Sequence, residues 1–299
     1  TFNVSDGGTL TLDADAADLR IVTGGPGVQV EVVRHTGVSD RARAEQLFAR
    51  YALSFNQSGN DLTVTGKYDR PFHIFDLFES DAGLHVRYLV HVPTRYNVSL
   101  KTSGGDIDVT PISGAVDART SGGNVTLASV GGPVNVHTSG GDVKLTSATG
   151  KVEIRTSGGS IRIDDASTAV DARTSGGSIE IGRTSGDVYA RTSGGDIRLA
   201  SVTGGVDAQT SGGSVTANFA GQPHPSKLFT SGGDVMVTVG GSAGLDLDAK
   251  SSGGDVESDL PVTIQGGHRD NAIVGKINGG GPQFVLRSSG GGIHVKRGA

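Results

Sequence analysis

Ser-Gly-Gly recurs at Ser103, Ser121, Ser139, Ser157, Ser175, Ser193 and Ser211, a step of eighteen residues repeated six times in succession. Further copies stand at Ser231 and Ser252, offset by twenty and twenty-one residues, and a last one at Ser289. A fixed period of this kind sets the architecture before any single segment is considered, because each repeat is one supersecondary unit that stacks on the next.

Each period divides in two. Apolar residues step by nine through Ile107, Val116, Val125, Val134, Val143, Val152, Ile161, Val170, Ile179, Val188, Ile197, Val206 and Val215. A second series follows two residues later, from Val109, Ala118 and Leu127 to Ala208 and Ala217. Alternation with period two is the strand signature. Each nine-residue half is therefore a short strand plus a turn, and two halves close one coil. The chain is expected to be all-β, a right-handed parallel β-solenoid with eighteen-residue, two-strand coils; successive coils pair in parallel about 4.8 Å apart. Glycine supplies 49 of 299 residues, tryptophan is absent and only 5% are aromatic. Such a chain fills a thin core of Val, Ile, Leu and Ala, not a thick one. The Ser-Gly-Gly corners are expected to use positive φ, which glycine adopts without a Cβ penalty. The threonine before each serine points inward by parity. It is either a ladder of hydroxyls bonding to neighbouring coils or simply a good strand former.

The whole of 1–299 reads as one solenoid domain in three stretches. N-terminal coils and a cap occupy 1–100, regular coils 101–218, and irregular coils 219–299, the last formed by Phe284–Leu286 and Ile293–Val295. Within the cap, Ala44, Leu47, Phe48 and Tyr51 share one helical face, which predicts a short helix over 39–51 covering an open edge, with Ser39 or Asp40 as its cap. An aromatic loop spans 68–81; Phe72, Phe75 and Phe78 in it either pack in a small cap core or form an exposed contact site.

Outward positions form columns, since stacked coils hold them in register. One reads Asp117, Asn135, Glu153, Asp171, Tyr189, Asp207; beside it runs Arg119, His137, Arg155, Arg173, Arg191, Gln209. This is a solvated face laced with salt bridges, or a track for a polyanion or glycan in which Arg119, Arg155, Arg173 and Arg191 make the contacts. A third column at the glycine corner, Asp106, Asn124, Asp142, Ser160 and onward, is solvent-facing or binds cations.

Net charge is −5 without a basic cluster, which argues against nucleic acid. No eighteen-residue apolar run suits a membrane span. With no cysteine there is neither a disulfide framework nor thiolate chemistry. The start at Thr1 would be explained by removal of a leader or by trimming for expression, and neither is visible in the residues. A calcium β-roll also has nine-residue halves, but its third glycine and following Asp are missing from these coils, and calcium wants six to eight oxygens. His73, His85 and His91 lie near Asp76, Glu79 and Asp81, but His85 and His91, six residues apart on one strand, cannot share a metal without a bend, and the three read as surface histidines, so no metal or cofactor is expected. Neither the adjacent Asp164 and Asp165 nor the pair Asp106 and Asp108 defines the opposed carboxylates of a carbohydrase.

The coils Thr-Ser-Gly-Gly-Asp-Ile-Asp-Val and Thr-Ser-Gly-Gly-Asn-Val-Thr-Leu, the strand ending His91-Val-Pro93 and the terminal Ser-Gly-Gly-Gly-Ile-His-Val resemble the bacterial family of β-strand-repeat putative adhesins, over most of the chain. That resemblance implies a secreted or envelope-attached domain of unknown function, with no catalytic residues to carry over. The expected role is a non-catalytic scaffold or adhesin-like protein, extracellular, periplasmic or envelope-attached, whose partner is a glycan or an envelope protein. The alternatives are a carbohydrate-active enzyme and a purely structural protein.

Overall fold

A computed structural model describes residues 1–68, 83–264 and 270–298. The fold is almost entirely β and divides into two units, Thr1–Gly141 and Asp142–Ala299.

The first unit contains β1 (Thr9–Ala14), β2 (Ala17–Thr23), β3 (Gln29–His35), α1 (Arg41–Ala49), β4 (Tyr51–Ser58), β5 (Asp61–Tyr68), β6 (His85–Val92), β7 (Asn97–Thr102), β8 (Ile107–Val109), β9 (Val116–Arg119), β10 (Val125–Val130) and β11 (Val134–His137). Its strands sort into two sheets, one ordered β11-β9-β7-β1-β5-β4 and the other β10-β8-β2-β6-β3. Neighbours are parallel, in a register that sets Val125 beside Ile107 and Val134 beside Val116. The outermost strands β3 and β4 are antiparallel to β6 and β5. The order is not sequential. β1 lies between β5 and β7, and β2 between β6 and β8, so the coil that comes first in the sequence is an inner layer.

The second unit contains β12 (Val143–Ala148), β13 (Val152–Arg155), β14 (Ile161–Ala166), β15 (Val170–Arg173), β16 (Ile179–Thr184), β17 (Val188–Arg191), β18 (Ile197–Val202), β19 (Val206–Thr210), β20 (Val215–Phe219), β21 (Ser226–Thr230), β22 (Val235–Gly240), β23 (Leu245–Ser251), β24 (Val256–Ser258), β25 (Val262–Ile264), β26 (Ala272–Ile277), β27 (Gln283–Ser288) and β28 (Ile293–Gly298). Odd strands from β13 to β21 pair in one parallel sheet and even strands from β12 to β22 in the other. Here too the terminal coil is not terminal in space. β27 inserts between β21 and β23, and β28 between β22 and β24.

The nine-step series is the core. Val125, Val143, Ile161 and Ile179 are at most 1% exposed, and Leu127, Leu145, Ile163 and Ile181 likewise. Fully burying one such side chain contributes roughly 1.5–3 kcal/mol. Burial alternates through the first three or four residues of each regular strand, the pattern of a pleated chain with one face inward, and the six-residue strands then break step to bury their last residue, as at Val130 and Thr184.

The helix differs from expectation. It spans only Arg41–Ala49, with the Asp40 carboxylate accepting from the Arg43 N–H at 2.8 Å as its cap. None of its residues is buried, and Phe48 lies under the Arg34 guanidinium, 5.4 Å from its ring. Tyr51 is buried, but as the first residue of β4. With Tyr51 outside the helix, its apolar face is left with Ala44, Leu47 and Phe48, none of them buried, so α1 does not bury a cap face. The larger aromatics are used deeper in this unit. Tyr88 and Tyr96 are fully buried, Tyr51 and Tyr88 hydroxyls meet at 3.0 Å, and the Tyr96 hydroxyl donates to the Asn60 carbonyl.

Candidate functional site

The glycine corners are the first place to look for chemistry, because there the backbone and polar side chains of every coil coincide. They are structural. Thr120 donates to the Gly105 carbonyl at 3.0 Å, and Thr138 to that of Gly123 at 3.0 Å. In the second unit Thr174, Thr192 and Thr210 do the same to Gly159, Gly177 and Gly195 at 2.7–2.8 Å. Each of Thr120, Thr138, Thr192 and Thr210 also accepts the N–H of the second glycine of its own corner. The hydroxyl ladder therefore exists, with every rung buried. Such a group satisfies one carbonyl and one amide that the turn leaves unpaired.

The column after the glycines is a second ladder. Asp106 accepts the Asn124 N–H at 2.7 Å, Asp142 that of Ser160 at 2.7 Å, and Asp196 that of Ser214 at 2.8 Å. A short acceptor at each position bonds the same position one coil on, which explains why Asp, Asn and Ser interchange there. These carboxylates hold backbone amides, and among the described residues no group of three or more His, Asp or Glu is arranged to hold a metal ion.

The expected positive φ is corrected. Among the described residues, the glycines with positive φ are Gly7, Gly24, Gly59, Gly221, Gly279 and Gly280, none of them in a Ser-Gly-Gly corner. Glycine is required for close approach instead. A Cβ on Gly123 would sit 2.8 Å from the Asp106 nitrogen and nearer still to the Gly105 carbonyl. On the first glycine, Gly122, it would meet nothing closer than 3.6 Å.

Of the expected contact residues, Arg155, Arg173 and Arg191 stand side by side on β13, β15 and β17. Arg119 belongs to the first unit, beside His137 on β11, and pairs with Asp117 at 3.0 Å. Phe72, Phe75 and Phe78 lie outside the described residues, as does His73. Asp164 and Asp165 pair with Arg162 and Arg183 respectively, at 2.9 and 3.5 Å, and so face no common substrate position.

The arginine face carries its own counter-charges. Arg155 meets Glu153 at 2.6 Å, and Arg173 holds Asp171 with two hydrogen bonds of 2.8 and 2.9 Å. The Asp171 bonds lift the Arg173 guanidinium above its ordinary range, burial opposing them. Half-exposed pairs of this kind contribute about 0.2–1 kcal/mol each. Arg191 differs: its nearest carboxylate, Asp207, is 3.7 Å away, and its buried Nε has no hydrogen-bond partner.

Sequence reasoning placed Tyr189 in the acidic column without singling it out. Its ring lies 4.5 Å from the guanidinium carbons of both Arg173 and Arg191. The signal was available, since Tyr189 is the only aromatic residue of 101–218. The arginine column beside it continues from Arg191 through Gln209, Phe229 and Arg287, giving an aromatic-and-arginine face.

At its far end Asp248 accepts from the Arg287 Nη2 at 2.6 Å. Burial pushes the Asp248 carboxyl up, but its hydrogen bonds with Arg287 and Lys250 outweigh this and hold it below the ordinary carboxylate range. A depressed folded value gives stability that is present above about pH 4 and lost as pH falls through it. The Asp248→Asn variant should melt below the parent at neutral pH, with the difference closing toward about pH 2; a constant gap would separate Asp248 from this linkage.

The Toastrack DUF4097 family model matches residues 9–190 and again 184–296. The chain belongs to the Toastrack DUF4097 family. The kinship expected from the Thr-Ser-Gly-Gly coils holds along almost the whole Toastrack chain. No curated protein matches it. Two crystal structures are similar to it. One is of a putative cell adhesion protein from Clostridium sporogenes, with 12% identity over 99% of this chain and 94% of that one, TM-score 0.28. The other is of a putative adhesin from Bacteroides fragilis, with 13% identity over the same shares, TM-score 0.36. No helix among the described residues is long and apolar enough to cross a membrane.

Proposed function

We propose that the chain is a non-catalytic, adhesin-like scaffold of the cell envelope or exterior, wound as a right-handed parallel β-solenoid of eighteen-residue coils, that binds a carboxylate-bearing glycan or an envelope protein through the outward face of β13, β15, β17 and β19. The observation that carries this is Tyr189 set between two guanidinium groups, one of them, Arg191, with a buried Nε left without a partner. Tyr and Arg are the residues enriched where binding energy concentrates. Arg173 is already fixed by Asp171, so ordering it costs little on association. The Arg191 guanidinium is partly exposed and held to Asp207 only at 3.7 Å, and its planar fork of terminal N–H groups is suited to a carboxylate oxygen. The names of the two similar structures agree with adhesion but add no weight at their scores.

The test is an array of acidic and neutral oligosaccharides, with purified envelope proteins alongside. Replacing Arg155, Arg173 and Arg191 together by serine, or Tyr189 by serine, should weaken binding about tenfold or more while thermal unfolding stays near the parent's. A binding profile unchanged in both variants would remove this face and leave a purely structural role.

A further inference from the structure

Among the described residues, the outermost strands are β3 and β4 in the first unit and β24 and β25 in the second. Strand edges expose unpaired N–H and C=O groups, and proteins ordinarily blunt them by shortness, charge or proline. β24 and β25 have three residues each. β3 carries Glu31, Arg34 and His35. β4, Tyr-Ala-Leu-Ser-Phe-Asn-Gln-Ser, is eight residues long with no charge and no proline. It pairs with β5 alone among the described residues.

Its free edge can be assigned. The Gly66 carbonyl accepts from the Asp15 N–H at 2.8 Å, so Gly66 directs its peptide groups away from β4. Leu53, opposite Gly66, is then in a non-hydrogen-bonded pair, and by alternation the N–H and C=O of Leu53, Phe55 and Gln57 point to the open side. The same residues lie over the core-facing side of β5, opposite Gly66, Val64 and Leu62, all three buried. Yet Phe55 is 45% exposed, stacked only on Phe2 at 5.9 Å.

We infer that β4 is a self-association edge, joining a second copy of this chain antiparallel about a two-fold axis through Phe55. Self-pairing at this register sets Phe55 against Phe55 of the second copy and Leu53 against its Gln57, with the open peptide groups of all three residues mutually satisfied. The two-fold makes the contact close on itself and stop at a dimer. Identical strands normally risk like-charge repulsion, and β4 has no charge to repel. A cross-strand aromatic pair at the axis adds stabilisation to the ladder. The contact is one strand wide, so association should be reversible and concentration-dependent.

Sedimentation velocity across a micromolar series, with residue-resolved amide exchange, tests this on the full chain. The parent should pass from monomer to dimer, and the amides of Leu53, Phe55 and Gln57 should gain protection in step. Phe55→Lys should keep the parent's melting behaviour and shift the dimer midpoint at least tenfold upward. Val33→Lys, at the exposed apolar residue of β3, should leave it unchanged. A parent that remains monomeric, a Phe55→Lys variant that dimerises as well as the parent, or Phe55 amide protection independent of concentration would each overturn the assignment; the last would mean that the edge is covered within one chain.

Discussion

Replacing Gly123 by alanine is expected to cost about 3 kcal/mol of stability, while the same change at its neighbour Gly122 should be neutral or slightly stabilising. The two residues occupy one corner and differ only in what lies beneath them. A methyl at 123 would overlap the Gly105 carbonyl and press the Asp106 nitrogen, both backbone of the adjacent coil, which cannot swing aside as a side chain could. The coils would have to separate locally, lengthening the bond from Thr120 to Gly105. A methyl at 122 meets the Gly104 oxygen only at 3.6 Å, an ordinary contact. Since neither residue has positive φ, alanine at 122 also restricts the unfolded chain at no cost in folded strain. Urea unfolding of the pair of variants measures the contrast. Equal effects at 122 and 123 would return the glycine requirement to backbone conformation.

The second large effect is at Thr138, which is fully buried. Valine has nearly its shape and a higher strand preference, so if threonine were there only as a strand former, Thr138→Val would stabilise. The expected result is a loss of about 2 kcal/mol, because the Gly123 carbonyl and the Gly141 N–H each lose a buried partner with no water to replace it. Thr138→Ser keeps the hydroxyl and should recover most of that loss. Thermal unfolding of the three proteins decides between hydroxyl and shape.

Much of the fold was legible because strand patterning is local. Residues two apart share a face, so the series through Val125, Val143, Ile161 and Ile179 announced itself as one buried wall, and the threonines announced their inward parity. The candidate face was legible only as a column. That Arg155, Arg173 and Arg191 adjoin follows from the period; that Arg173 is tied to Asp171 while Arg191 is not depends on side-chain rotamers, which no repeat encodes. The helix was misjudged in role because its apolar residues have the right spacing, and spacing does not say whether anything lies opposite.

The sequence by itself determined which side chains face inward, where each coil turns and that coils pair in register, since an eighteen-residue period with alternating burial leaves a parallel stack as its simplest satisfaction. Only the tertiary structure decided the order of coils at the two ends. There β1 and β2 slot between later strands, and β27 and β28 insert before β23 and β24. All coils present similar inner faces and similar edges, so neighbour choice rests on small differences in packing and hydrogen bonding summed over whole strands. The same summation settled why glycine stands at the corners: the distance between stacked backbones is a property of the pair of coils, and neither coil's residues carry it alone.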